Sequence, residues 1–371
     1  MATTSKRVTV HECCGVAPLA AAGEAAEQSL PLTFFDMIWL YFHPIQRLLF
    51  YPSTCSTTDF LETIVPNLKK SLSQTLRNYL PLAGNLIHPM NSDMPEFRYV
   101  PGDSVSVTFA EATEDLDFDY FTGNQARDSD EFYALAPDLP EPKTDSESGF
   151  KIIPVLAIQV TLFPGTGICI DTQEFGVGWR TRSYSLIILY GKTAYVWSCL
   201  AKSAAESGEE VDDNEPEYFG FTVDARHRME SPVPATYFGN CVAFVVVEST
   251  HGLLRGRDGF VSAVKSVGQL ITNKANNKEE ILRDADNWLV KYWPLLGKRL
   301  FGVAGSPKFD LYDTDFGWGR PKKYESVSID RGGSISLCKS REFEGGLEIG
   351  VSLPRKKMDA FAAIFVDGLK T

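Results

Sequence analysis

Residues 312–320 read YDTDFGWGR, with two glycines bracketing one tryptophan behind an aspartate. Gly317 and Gly319 on either side of Trp318 suit a tight turn whose backbone takes conformations closed to other residues, while the large indole inserts into a core. Asp315 then stands beside buried aromatics and requires a cationic partner. Two roles are open to it: a catalytic acid or base, or an ion-paired latch that holds the turn shut. A stretched echo, CIDTQEFGVGWRTRSY at 169–184, is no repeat, because the flanks SYSLIILY and PKKYESVS differ in residue type and in period.

Strand and helix patterns alternate on both sides of that turn. From Asp59, the residues Phe60, Ile64, Leu68, Leu72, Leu76 and Leu80 step by four, which predicts a helix capped by Asp59 and bent or split by Pro66. Val105, Val107 and Phe109 alternate with Ser104, Ser106 and Thr108, a half-buried strand, and PVLAIQVTLFPGTGICI (154–170) gives two strands around the turn Pro164 to Gly167. The acidic stretch 114–149 reads as a surface connection with short pieces of order. Further on, KTAYVWSCLAKSAAESG (192–208) is helical, EYFGFTVDAR (217–226) and NCVAFVVVE (240–248) are strands, and helices follow at 259–274 and 278–291. FGVAG, KFDLYD, ESVSID, SISLC and LEIGVSL are strands, PRKKMDAFAAIFVDGL (354–369) is a helix with Pro354 in its first turn, and the apolar run SLIILY (185–190) predicts one more strand. Interleaving of this kind in both halves predicts an α/β fold of two domains, residues 1–180 and 181–371.

Bulk properties agree. A chain of 371 residues exceeds the roughly 250 to 300 at which one core stops growing. With 36 basic against 48 acidic residues and a net charge of −12, nucleic acid and anionic membranes are poor partners. MATTSKRVTVHECCGVAP has no continuous apolar leader and no run approaches a membrane span, so a soluble cytoplasmic protein is expected. Seven cysteines form no CxxC pair and no metal-ligand spacing with the five histidines; they read as reduced thiols, and no metal or redox cofactor is implied.

Together with LPLTFFDMIWLYFHPIQRLLFY, FLETIVPNLKKSLSQTLRNYLPLAGNL, PVLAIQVTLFPGTGICI, AYVWSC, FTVDAR, YFGNC, AGSPKFDLYDTDFGWGRPKK and LEIGVSL, in that order, DFGWG makes the chain resemble the plant BAHD acyltransferases. YFGNC (Tyr237, Phe238, Gly239, Asn240, Cys241) points to the anthocyanin and phenolic-glucoside malonyl or aromatic acyltransferase branch. The resemblance implies transfer of an acyl group from coenzyme A to an alcohol or amine. It implies two domains of mixed β-sheet flanked by helices, chloramphenicol-acetyltransferase-like, with acyl-CoA and a phenolic glycoside acceptor meeting in a channel between them, in a monomer. It also implies that Asp315, Phe316, Gly317, Trp318 and Gly319 hold the fold away from the reacting atoms, with Arg226 of FTVDAR as the partner of Asp315.

The family's base is the histidine of an HxxxD motif, which takes the proton of the attacking hydroxyl; imidazole is neutral and basic at cellular pH. It should follow the strand ending in GICI, where this chain reads IDTQEFGVGWRTRSYSLIILYGKTAYVWS. Four positions after His11, His43, His88, His227 and His251 stand Gly15, Arg47, Ser92, Ser231 and Arg255, so the motif is missing rather than displaced. The motif helix, the crossover and a strand are replaced by about twenty unrelated residues. Glu174 and Asp171 are weak substitutes, Glu174 being the one carried forward: reference carboxylate pKa values near 4 are roughly two units less basic than imidazole, and nothing in the sequence orients either group. His43 and His88 read as surface or structural residues, and LRGRDG (254–259) lacks the strand-to-helix context of a phosphate loop. Residues 171–191 are expected to be irregular, and the chain to be an impaired or inactive acyltransferase. The alternatives are a non-catalytic ligand- or partner-binding remnant and the product of an altered transcript.

Overall fold

The computed structural model describes residues 7–19, 27–90, 94–147, 149–174, 186–229, 231, 233–234, 237, 239–305 and 310–370. Two compact units emerge: Met1–Val177 with Leu311–Ser328, and Gly178–Asp310 with Ile329–Thr371. The DFGWG turn therefore belongs to the unit built mostly from the N-terminal half.

The main strands, in chain order, are β1 (Val8–Val16), β2 (Ile45–Pro52), β3 (Val105–Ala112), β4 (Leu156–Phe163), β5 (Gly167–Glu174), β6 (Pro216–Asp224), β7 (Val242–Thr250), β8 (Leu300–Ala304), β9 (Lys323–Ser326), β10 (Ser334–Lys339) and β11 (Leu347–Val351). In the first unit the order is β1-β3-β4-β5-β2-β9, a mixed six-stranded sheet in which only β3 and β4 run parallel. A second, five-stranded sheet of the same unit joins Gln28–Pro31, Glu96–Tyr99, Asn85–Pro89, Phe150–Pro154 and Lys143–Asp145.

Alternation along the strands gives the six-stranded sheet two apolar faces. Ile168, Ile170, Val107, Phe109, Val160 and Leu162 pack against the helix α1 (Val65–Leu76), which presents Leu68 and Leu72. This helix continues from Thr57–Asp59 through a π-turn at Phe60–Ile64, so its cap is the Ser56 hydroxyl accepting from the Asp59 amide, three residues earlier than the pattern predicts. The π-turn ends two residues before Pro66, whose missing N–H removes one α-helical hydrogen bond. On the other face, Phe50, Phe163 and Cys169 are covered by Phe118, Phe121, Phe132 and Leu135. The acidic stretch expected to be a surface connection is thus half of a core: its short helices Phe118–Thr122 and Ser129–Phe132 turn their aromatics inward and their carboxylates out.

In the second unit the order is β7-β6-β8-β10-β11, with β6, β8 and β10 parallel and antiparallel strands at both ends. The helix α2 (Leu186–Glu206) packs on this sheet through Trp197 against Phe219. Tyr195 on α2 meets Phe260 of α3 (Gly259–Leu270) and donates its hydroxyl to the carbonyl of Phe365 in α4 (Arg355–Gly368), at 2.7 Å. Three sequence expectations change here. SLIILY is no strand, since Leu186–Tyr190 form the first turns of α2; Leu311–Asp313 of KFDLYD is a 3₁₀ turn; and the helix expected at 278–291 is broken into Lys278–Ile281, Ala285–Asn287 and Trp288–Tyr292, with Asp284 left-handed at φ 60° between the first two.

Candidate functional site

Strand β5 ends where the HxxxD motif was expected. Asp171 through Glu174 are not irregular, because they pair in register with Gln159 through Leu156 on β4 and with Leu48 through Ile45 on β2. Residues 175–185 of the replaced stretch lie outside the described residues, and its last residues, 186–191, are helical in α2 and not irregular. Glu174 is 5% exposed and accepts a hydrogen bond from the guanidinium of Arg47 on β2. Burial raises its carboxyl to about 7, the charge and hydrogen bond of Arg47 opposing the rise. The Arg47 guanidinium is itself held charged, because Glu174 and Tyr324 together outweigh its own desolvation. Glu174 therefore has a basicity close to that of imidazole, against the reference value that the sequence suggests. Its carboxylate nevertheless points at an arginine inside a sheet. Asp171 is fully buried, and burial pushes its carboxyl well above the usual range.

The DFGWG turn sits in the same unit. Asp315 is exposed, and its Oδ1 accepts from the amides of Gly317 at 2.7 Å and Gly319 at 2.9 Å. Both glycines have positive φ, 93° and 83°, which a side chain would strain. Trp318 is half-buried against the α1-side core, and its ring lies edge-on to Tyr51, centroids 5.6 Å apart. Phe316 approaches the same Tyr51 at 5.7 Å while remaining 45% exposed, and the Tyr51 hydroxyl donates to the carbonyl of Thr314 at 3.1 Å. Strand β9, which follows, adds to the edge of β2. The buried ion pair expected of Asp315 is not formed: its carboxylate ties off its own loop, and the aromatics dock the turn on β2.

Arg226, the expected partner of Asp315, lies in the other unit and is held there. Its guanidinium pairs with Asp224 at 3.4 Å and donates to the carbonyl of Gly239 at 3.0 Å. The Ala225 amide donates to the carbonyl of Cys241 at 2.8 Å, so FTVDAR and YFGNC meet at one end of the β6–β7 pair. Asn240 and Cys241 are buried. Gly239 has φ 149°, and a Cβ there would stand 2.6 Å from the Tyr237 hydroxyl. Phe238 lies outside the described residues.

The histidines do not converge. His43, His88 and His227 are exposed, His11 pairs with Glu111 at 3.2 Å, and His251 is buried against Glu217 at 2.7 Å. Among the described residues no group of three or more His, Cys, Asp or Glu could hold a metal ion, and no helix is long and apolar enough to cross a membrane. Arg47 and Tyr324 were missed by sequence reasoning. The only signal was the charge of Arg47 within the otherwise apolar run IQRLLFY.

The Transferase family profile matches residues 8–173 and 191–366, with its internal break at the stretch that follows β5. The malonyl-coenzyme:anthocyanin 5-O-glucoside-6‴-O-malonyltransferase of Salvia splendens is 38% identical over 455 aligned positions, covering 98% of this chain and 96% of that protein. Phenolic glucoside malonyltransferase 1 of Nicotiana tabacum is 39% identical, covering 97% and 99%. The Salvia alignment is 84 positions longer than the 371 residues of this chain, so the relative carries sequence that is absent here. In fold, the chain is similar to vinorine synthase (TM-score 0.66, 16% identity, 95% and 96% covered) and to F. sporotrichioides TRI101 complexed with coenzyme A and T-2 (TM-score 0.65, 13% identity, 91% and 97% covered). Two mixed sheets flanked by helices, the DFGWG and YFGNC turns, and these matches agree: the chain belongs to the BAHD branch of the Transferase family.

Proposed function

We propose that this chain is an acyl-CoA-dependent O-acyltransferase by descent, of the kind that moves malonyl or hydroxycinnamoyl groups onto flavonoid or phenolic glucosides in the cytoplasm, and that its own turnover is impaired. One observation carries the reading. The family match breaks at 174–190, where the base should follow β5, and none of the five histidines is followed four positions later by an aspartate. Glu174 has the basicity to accept a hydroxyl proton, but its carboxylate is engaged by Arg47. A positioned general base supplies about 10² to 10⁴ in rate, so its loss alone supports the reading of impaired turnover. The small-molecule partners of this reading are an acyl-CoA donor and a phenolic glycoside acceptor.

The test offers malonyl- and hydroxycinnamoyl-CoA with a panel of flavonoid and simple phenolic glucosides to the purified chain, beside a chimera in which a relative's HxxxD block replaces residues 171–191. Transfer by the chimera alone is expected. Robust transfer by the chain as written would overturn the reading and make Glu174 the first residue to substitute.

The same break favours a second reading, a product of altered splicing that retains binding without turnover. Sequencing the transcript across codons 170–192 decides its origin, and equilibrium dialysis of coenzyme A decides whether binding survives.

A further inference from the structure

Asp171 stands in the interior of the six-stranded sheet, opposite Leu48 on β2 and Gln159 on β4. It is fully buried, and neither Oδ1 nor Oδ2 meets a hydrogen-bond partner among the described residues. Two residues along β2 from Leu48, and so on the same face, Gln46 is 4% exposed and leaves its Oε1 equally unpartnered. Gln159 has committed its amide nitrogen to the Ala134 carbonyl and the Thr161 hydroxyl, both at 3.1 Å.

All three orphaned atoms are acceptors when Asp171 is ionised. A buried charge left without a donor takes up a proton rather than stay ionised. We propose that Asp171 is held as the neutral acid in an interior that offers its carboxylate no donor among the described residues, and that this makes β5, the strand leading into the break in the family match, lose stability as pH rises.

The groups around Asp171 favour that state. On β5 itself stand Cys169, a buried thiol, and Glu174, whose charge adds to the cost of a second carboxylate. From β2 comes Arg47, whose side chain is turned to Glu174 and to Tyr324 of β9. The backbone amides of Arg47 and Thr172 favour the ionised form of Asp171 but do not reach hydrogen-bond geometry with it. From β4 comes Gln159, which carries no charge.

Two measurements on the full chain test this. At about pH 8.5, where Glu174 is ionised, the infrared spectrum is expected to show one protonated-carboxyl C=O band that disappears in Asp171→Asn; no such band in the parent overturns the proposal, whether or not the variant folds. In a Glu174→Gln background, which removes the other titrating carboxylate of β5, the folding equilibrium constant is expected to fall by up to tenfold per pH unit from the ordinary carboxylate pKa of about 4 up to the raised folded value of Asp171, and Asp171→Asn, whose amide brings its own donors, to abolish that slope. A slope retained in Asp171→Asn overturns the proposal. So does stabilisation of the parent, but not the variant, by sodium, potassium or calcium chloride, since an ion would then stand against the carboxylate.

Discussion

The guanidinium of Arg226 donates to the carbonyl oxygen of Gly239 across the end of the β6–β7 pair, at 3.0 Å, while pairing with the buried Asp224. One side chain thereby joins the two motifs, through residues thirteen positions apart. Arg226→Ala removes a cation from the buried Asp224 and a donor from the Gly239 carbonyl, and breaking a buried pair costs about 3 to 5 kcal/mol. Arg226→Lys keeps the charge but not the fork, and is expected to lose about half as much. Urea unfolding measures both, and a loss below about 1 kcal/mol for the alanine variant would show that the loop holds itself.

Asp315 makes the opposite case. Its carboxylate is exposed and serves two amides of its own turn, so Asp315→Ala is expected to cost about 1 to 2 kcal/mol, in the range of a lost helix cap rather than of a broken buried pair. Asp315→Asn keeps an acceptor oxygen and should lie within about 0.5 kcal/mol of the parent. A loss near 4 kcal/mol for alanine would restore the buried ion-pair latch. Gly317→Ala, at φ 93°, should cost about 1 kcal/mol or more through backbone strain alone.

Some of these relations can be read in the sequence and others cannot, for physical reasons. DFGWG announces a glycine turn with a docking indole, and the strand pair around Pro164–Gly167 is where its alternation puts it. The missing HxxxD is visible as a pattern. The burial of Asp171 and the raised carboxyl of Glu174 are not, because they depend on which strands flank β5, and β2 is 127 residues away in sequence at the Arg47–Glu174 contact. SLIILY misleads because a short, β-branched apolar run fits a strand or a buried helix equally; the uninterrupted helix-forming sequence after it decides for α2. In the acidic stretch, net charge hides the i, i+3 spacing of Phe118 with Phe121 and of Phe132 with Leu135.

The raised pKa of Glu174 sets a pH dependence whose sign follows from linkage. Its folded value of about 7 lies above the ordinary 4.5, so its contribution is fully present below about pH 4.5 and is lost as pH rises through 7. A rise of this size corresponds to roughly 3 kcal/mol between the two limits. Glu174→Gln keeps an oxygen for Arg47 without the charge. It is expected to match the parent near pH 4.5, to exceed it in stability at pH 8, and to flatten the curve between. Equal slopes for parent and variant in denaturant titrations from about pH 4 to 8 would mean that Arg47 fully compensates the buried charge.

Helix α3 gives the last prediction. Gly259, Ala263 and Val267 bury one face of it, yet Phe260, Val261 and Val264 on the other are 41%, 47% and 38% exposed, and Leu253 just before it is 59% exposed. A helix apolar on both faces is normally covered on both, and the Salvia relative aligns over 84 more positions than this chain has residues. The outer face is therefore expected to bind hydrophobic dye and to limit solubility. Val261→Glu with Val264→Lys places an oppositely charged i, i+3 pair there while leaving Phe260 on Tyr195. The double variant should raise soluble yield and lower dye binding, with the unfolding free energy within about 0.5 kcal/mol of the parent. A loss above about 1 kcal/mol would mean that these valines are packed against something in solution, and a fall in apparent mass in light scattering would identify that cover as a second copy of the chain.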